Sequence, residues 1–283
     1  MRELLISEAF ELYKNDYIRF KNQSVKTEEN HEVCKKALLL FVPDKPISEL
    51  SFDDVRDWKN YLSKRRSQNT VRNYIVRLRT VLNYLNIREI PCIKAGMIPV
   101  PKRSSTVPRF LTSEEVTAMI NSACNIRAQF IVSLLYSSGI RLSELISLNR
   151  GQIVERRFTI IGKGSKPRLC FIDERTEQLM ESYLATRKDN CEALIVSFQH
   201  RERINHTTIQ LVIRNAARKA GLESNRVTPH TLRHSYATNF LKNNGNMRYL
   251  SAMMGHSSMD TTAMYAHVVD NDLEAQYRKF HSI

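Results

Sequence analysis

HTLRHSYATNFLKNNGNMRYLSAMMGHSSMDTTAMY, residues 230–265 of a 283-residue chain, is the stretch around which the remaining sequence falls into place. Thr228-Pro229 starts a helix, with Pro229 near its first position, and Asn243-Asn244-Gly245 ends it. Met247–Met254 reads as a second helix closed by Gly255, and Asp260 caps a third that carries Tyr265. His230 and Arg233 lie one turn apart on a shared face. His256 follows Gly255, and Tyr265 follows nine residues later. Two cationic or proton-carrying groups, a second imidazole and a phenol thus stand at intervals that short helices can gather. Those are the parts needed to attack a phosphodiester with tyrosine. Each is weak alone. His230 and Arg233 also suit a polar core pair, His256 a helix cap, and Tyr265 is one of 11 tyrosines.

Upstream, Thr112-Ser113-Glu114-Glu115 resembles a capping box opening a helix to Ala123, and Ile126–Tyr136 is apolar enough for a buried helix. Ser138-Gly139 breaks it, and Arg141 opens LSELISL. By itself Arg141 reads as a structural arginine paired with Glu144. The runs RFTII (157–161) and RLCFI (168–172) are β-prone, and GKGSKP between them makes a hairpin with Lys163 in its turn. Helices follow from about Thr176 to Ala185 and from Asn205 or Thr207 to Ala220, with Gly221 as the cap.

The first hundred residues read as helical. Apolar groups recur at helical spacing over residues 4–20 and 31–43, and Ser51 caps a helix that carries Trp58 to about Ser63. From Lys64 to Arg79 there are six cations and no acid. Asn69 or Thr70 caps a helix with a Val71, Tyr74, Ile75, Leu78, Val81, Leu82, Leu85 stripe; Arg72, Arg77 and Arg79 leave by its other faces, and Lys64, Arg65 and Arg66 lead into it. A DNA-facing helix and a solvated basic face share this pattern; the unbroken sign favours DNA. Pro91, Pro99, Pro101 and Pro108 enclose an extended segment whose Lys102 and Arg103 can also touch phosphates. The expected architecture is mainly α: a helical domain over 1–100, a linker over 101–109, and an α-rich domain over 110–283 with a small β-sheet. A tail helix carrying Leu273, Tyr277 and Phe280 ends it.

Charge agrees with a polyanionic partner. There are 43 Lys+Arg against 29 Asp+Glu, a net +14, split evenly with +7 in residues 1–103 and +7 in the remainder. Both halves can therefore face one polyanion, as a clamp does. Five cysteines without a CxxC pair suggest neither a zinc site nor a disulfide framework, and no run approaches membrane-spanning length. A soluble cytoplasmic, nucleoid-associated protein is expected.

What lifts the weak residues is their joint occurrence in order. LLYSSGIRLSEL (134–145), GKGSKPR (162–168), HTLRHSYAT (230–238), MGHSS (254–258) and TTAMYAHV (261–268) together resemble the boxes of the tyrosine recombinase family, of the phage-integrase and Xer type. PRFLTSEEV resembles the start of that family's catalytic domain, and SQNTVRNYIVRLRTVLNYL the last helix of its SAM-like core-binding domain, so the likeness covers roughly residues 50–270. It implies a catalytic set of Arg141, Lys163, His230, Arg233, His256 and Tyr265, with Lys166 and Arg168 of the hairpin added to the DNA contacts. Departures are small: Met254 replaces a usual leucine, Ser138 a common threonine, and Pro167 a frequent acidic residue. Lys163 is favoured over Lys166 as general acid because it lies between the glycines.

The family chemistry implied is metal-free and ATP-free, with no cofactor. Tyr265 attacks a scissile phosphate held by Arg141 and Arg233, His230 takes its proton, Lys163 protonates the leaving 5′-oxygen, and His256 bonds the phosphate. The product is a 3′-phosphotyrosyl link, and strands exchange through a Holliday junction within a tetramer on synapsed DNA, the free protein being monomer or dimer. An activating protein partner is possible within the family. The first helix begins so near Met1 that no arm-type domain fits before it, which suits a compact Xer-like resolvase or a simple mobile-element integrase. The competing readings are a type IB topoisomerase and a DNA-binding protein that cuts nothing.

Overall fold

The structure, a computed structural model, describes residues 3–20, 25–104, 109–162, 167–199 and 201–255. Lys163, Lys166, His256, Tyr265 and the tail helix lie outside the described residues. The chain forms two compact units, residues 1–106 and 107–283.

The first unit is helical. Helix α1 (Ile6–Tyr13) runs on as a π-turn over Lys14–Ile18, followed by α2 (Val25–Leu39), α3 (Phe52–Ser63) and α4 (Gln68–Ile87). Ser51 caps α3 through a reciprocal box: its hydroxyl accepts from the Asp54 amide at 3.1 Å and its own amide donates to the Asp54 carboxylate at 2.8 Å. Helix α4 starts earlier than expected. Ser67, not Asn69 or Thr70, accepts from the third amide, 3.3 Å away on Thr70. The Asn69 side chain instead accepts from the Ser104 amide at 3.1 Å. The whole stripe from Val71 to Leu85 is buried, against Ile6, Phe10, Leu38 and Trp58 among others. Trp58 satisfies its indole N–H on the Ala37 carbonyl at 3.0 Å.

The second unit is built round α6 (Ile126–Ser138), after α5 (Ser113–Ser122) and its Thr112 capping box. Helix α6 is buried along most of its length, with Arg127 donating to the Val196 carbonyl and Ser133 bonded to Thr176 inside, which suits a place among neighbours rather than at a surface. Then come α7 (Leu142–Ser147), strands β1 (Arg157–Ile161) and β2 (Pro167–Phe171), α8 (Glu174–Ala185), α9 (His206–Lys219), α10 (Pro229–Lys242) and α11 (Met247–Met254). Helices α5, α8, α9 and α10 all pack on α6. The two strands are antiparallel, pairing Phe158 with Cys170 and Ile160 with Arg168 on the buried face. Ala237 and Leu241 of α10 meet Leu250 and Met254 of α11 in a small separate cluster.

Candidate active site

Helix α6 ends at Gly139 with φ of 60°, the left-handed region. A Cβ there would fall 2.4 Å from Cδ1 of Tyr236, so only glycine turns the chain beneath that ring. Two residues on, Arg141 caps α7. Its amide donates to Glu144 Oε2 at 2.7 Å, and its Nη1 to Oε1 at 3.0 Å. The structural pairing expected from sequence is therefore present, yet the Arg141 side chain stays 36% exposed.

Helix α10 supplies the facing groups. Thr228 caps it, accepting from the Thr231 amide at 3.2 Å, and Pro229 starts it. Arg233 is buried: one Nη donates to the Gly139 carbonyl and the other to the Met254 carbonyl at 2.6 Å. It thereby ties the turn before Arg141 to the end of α11. His230, one turn earlier, is exposed. Its imidazole titrates below the ordinary range, first through partial burial and then through the charges of Arg233 and Arg141. Arg141, His230 and Arg233 are thus brought to one place. His234 is likewise lowered, by burial and then by His230 and Arg233. Tyr236 is pushed up to about 12 by burial, so its hydroxyl, 3.4 Å from Met253 Sδ, stays protonated at neutral pH.

Arg168 corrects the sequence reading. Expected at the DNA face, its side chain is only 6% exposed. Nη1 and Nη2 donate to Glu144 Oε1 and Oε2 at 2.9 and 2.5 Å, and Nε to the Met253 carbonyl at 2.9 Å. The pleat turns it inward with Cys170, while Leu169 and Phe171 face outward. Burial alone would raise the Glu144 carboxyl. The hydrogen bonds and charge of Arg168, with the Arg141 amide and guanidinium, hold it instead at about 2. Helix α11 then ends at Gly255, φ 62°, whose missing Cβ would sit 2.8 Å from Arg168 Cδ.

The roles of Glu144, Arg168, His234 and Tyr236 around this cluster are not legible in the motifs. Only the three-residue spacing of Arg141 and Glu144 signals one of them. Among the described residues no group of three or more His, Cys, Asp or Glu is placed to hold a metal.

In the first unit, Lys64, Arg65 and Arg66 are exposed on the turn from α3 to α4, with Arg65 over the Tyr61 ring at 4.1 Å. Lys102 and Arg103 are exposed too, and are pinned beside the start of α4: Gln68 Nε2 donates to the Lys102 carbonyl at 3.1 Å, next to the Asn69–Ser104 bond. Arg72, Arg77 and Arg79 are half-buried, and the charge of Arg77 reaches His31 and Cys34.

Residues 109–272 match the phage integrase family, and residues 8–90 match its SAM-like domain. The chain is 31% identical over 230 residues to tyrosine recombinase XerA of Pyrococcus horikoshii, spanning 79% of each chain. It is 36% identical over 216 residues to tyrosine recombinase XerC of Histophilus somni, spanning 72% of each. A crystal structure of a lambda integrase tetramer bound to a Holliday junction shares the fold at TM-score 0.76 and 16% identity, over 90% of this chain and 78% of that one. An N-terminal SAM-like domain is thus followed by an integrase catalytic domain. With the arginine–histidine cluster lying inside the matched catalytic region, the chain belongs to the phage integrase family and is a tyrosine recombinase of the Xer-like kind.

Proposed function

We propose that this enzyme recombines double-stranded DNA at a specific site, with Tyr265 as the nucleophile. The observation that carries the reading is Arg233, buried and bound to the Gly139 carbonyl two residues before Arg141, with the titration of the His230 imidazole lowered by partial burial and by the charges of both. Two fixed guanidiniums suit the equatorial oxygens of a phosphodiester under attack, and such preorganised donors contribute roughly 10²–10³-fold each. A neutral imidazole accepts the tyrosine proton. Of the tyrosines near this cluster, Tyr236 is held protonated and bound to Met253, which suits it to packing rather than attack. Lys163, flanking β1, is the acid for the leaving 5′-oxygen, and His256, next after Gly255, bonds the phosphate.

Attack forms the bond from Tyr265 to phosphorus and breaks the bond to the 5′-oxygen. Because the phosphotyrosyl ester keeps the energy of the broken bond, a second 5′-hydroxyl can displace the tyrosine without ATP or a metal. Four protomers exchanging strands through a Holliday junction is the arrangement we assign, in keeping with the lambda integrase tetramer. Free protein is monomeric or dimeric. Its setting is the cytoplasm. The same chemistry serves chromosome or plasmid dimer resolution and mobile-element integration and excision; the identity of the DNA site decides between them.

Duplexes enriched for binding from a randomised pool supply the substrate. Wild-type protein should yield a denaturant-resistant DNA adduct, and Tyr265→Phe should bind equally and yield none. An adduct persisting in the Phe variant overturns the assignment. Relaxation of supercoiled plasmid lacking every selected sequence would turn the reading to a type IB topoisomerase.

A further inference from the structure

Glu144 is placed where it can spoil the site it supports. Its carboxylate touches Arg141 through Nη1 and the amide, and it is ionised throughout the neutral range. A lone carboxylate there would cancel the charge that Arg141 needs for a phosphate, and would draw its guanidinium inward. Arg168 prevents this. Its planar fork takes both Glu144 oxygens, the geometry in which a guanidinium–carboxylate pair is strongest. Of the three charged groups Arg168 and Glu144 are the buried pair, and the surplus positive charge is left on Arg141, the exposed member.

The third donor of Arg168 reaches elsewhere. Nε holds the Met253 carbonyl, two residues before Gly255, whose backbone passes so close to Arg168 that a Cβ would collide with it. Arg233 holds the next carbonyl, on Met254. One buried guanidinium on β2 therefore links the hairpin strand, the carboxylate behind Arg141 and the end of α11.

We propose that Arg168 is a positioning residue for strand cleavage: it occupies Glu144 so that Arg141 presents an uncancelled charge to the scissile phosphate. This rests on the tyrosine-recombinase reading of Arg141, and the experiment separates the two, since wild-type protein that forms no adduct fails that reading before Arg168 is touched. A structural arginine and a charge-presenting one differ on a substrate without the charge. The cleavage rate of Arg168→Met is measured at saturating protein on two duplexes, one with the natural scissile phosphate and one with a neutral methylphosphonate there. Folded fraction is checked by circular dichroism.

On the phosphate the variant should cleave roughly 10²-fold more slowly while binding the duplex as tightly as wild type. On the methylphosphonate the deficit should shrink to less than about tenfold, because no anionic oxygen demands the charge of Arg141. Adding Glu144→Gln should recover at least about tenfold on the phosphate, since the competing carboxylate is gone and no buried charge is left alone. If Arg168→Met does not fold, the double variant and Arg168→Lys, a point charge without the fork, are compared on the same duplexes. There the double should outpace the Lys variant on phosphate. Equal deficits on both duplexes, or a double no faster than the single, would overturn the proposal.

Discussion

His31 shows how one residue ties pH to stability. It lies buried on α2, its ring centroid 5.0 Å from that of Tyr13, and its Nδ1 has no hydrogen-bond partner among the described residues. Burial first, and then the charge of Arg77, hold its pKa at about 4. The unfolded chain binds that proton at about 6.5. The stabilisation from keeping His31 neutral is therefore complete above pH 6.5 and is lost as pH falls towards 4, about 3 kcal/mol in all. Urea midpoints of the first unit should fall across that window, and His31→Phe should flatten the fall. An unchanged slope in the Phe variant would remove His31 as its cause. Carboxylates such as Glu144, held at about 2 in the folded chain, begin to cost stability only below their unfolded value of about 4.3, at the foot of this window. The same scale shows what sequence hides. Nothing in the residue types flags His31 as buried, and Arg168 is read as a DNA contact because it follows Lys163 and Lys166 in a basic hairpin, whereas the pleat turns it inward and leaves the apolar Leu169 and Phe171 outside. They are 47% and 46% exposed.

Elements were more legible than residues, because capping chemistry is local. Thr112 with Glu115, Ser51 and Thr228-Pro229 each announce a helix start, and each caps one; the return bond from the Ser51 amide to Asp54 is added by the structure. Boundaries slipped where two polar side chains competed: Ser67 caps α4 ahead of Asn69, and Asp173, accepting from the Thr176 amide at 2.8 Å, starts α8 before Thr176. Gly139 gives the element scale its test. Left-handed backbone costs a non-glycine residue about 1 kcal/mol, and any Cβ at Gly139 also meets Tyr236. Gly151, at φ 75° with nothing within 4 Å, carries the backbone cost alone. Gly139→Ala should therefore lower unfolding stability at least twice as much as Gly151→Ala, and should slow cleavage because Arg233 holds the same turn. Equal losses in chemical denaturation would show that Tyr236 yields freely.

Across the whole molecule, charge is the property that sequence displays best and packing then sorts. The net charge of +14 divides evenly between the two units, since residues 104–106 are uncharged. Not every cation of the first unit is equally available. Lys64, Arg65 and Arg66 stand exposed, whereas Arg77 is half-buried near His31 and Cys34, and Arg56 is engaged by Asp53 at 2.6 Å and Asp57 at 3.1 Å. Sequence counted these arginines alike because side-chain partners lie on neighbouring turns and other helices. Cations that meet phosphates release counterions, so each contact steepens the fall of log affinity with log salt by about 0.9. Replacing Lys64, Arg65 and Arg66 together by glutamine should make that slope shallower by about 2 to 3 and weaken all duplexes alike. Arg56→Gln should leave it unchanged, its charge already being balanced. Fluorescence anisotropy of a labelled duplex between 50 and about 300 mM salt reads both, that range bracketing the one where such slopes develop. A triple variant with the wild-type slope would mean that the turn between α3 and α4 does not face the DNA, however basic it is.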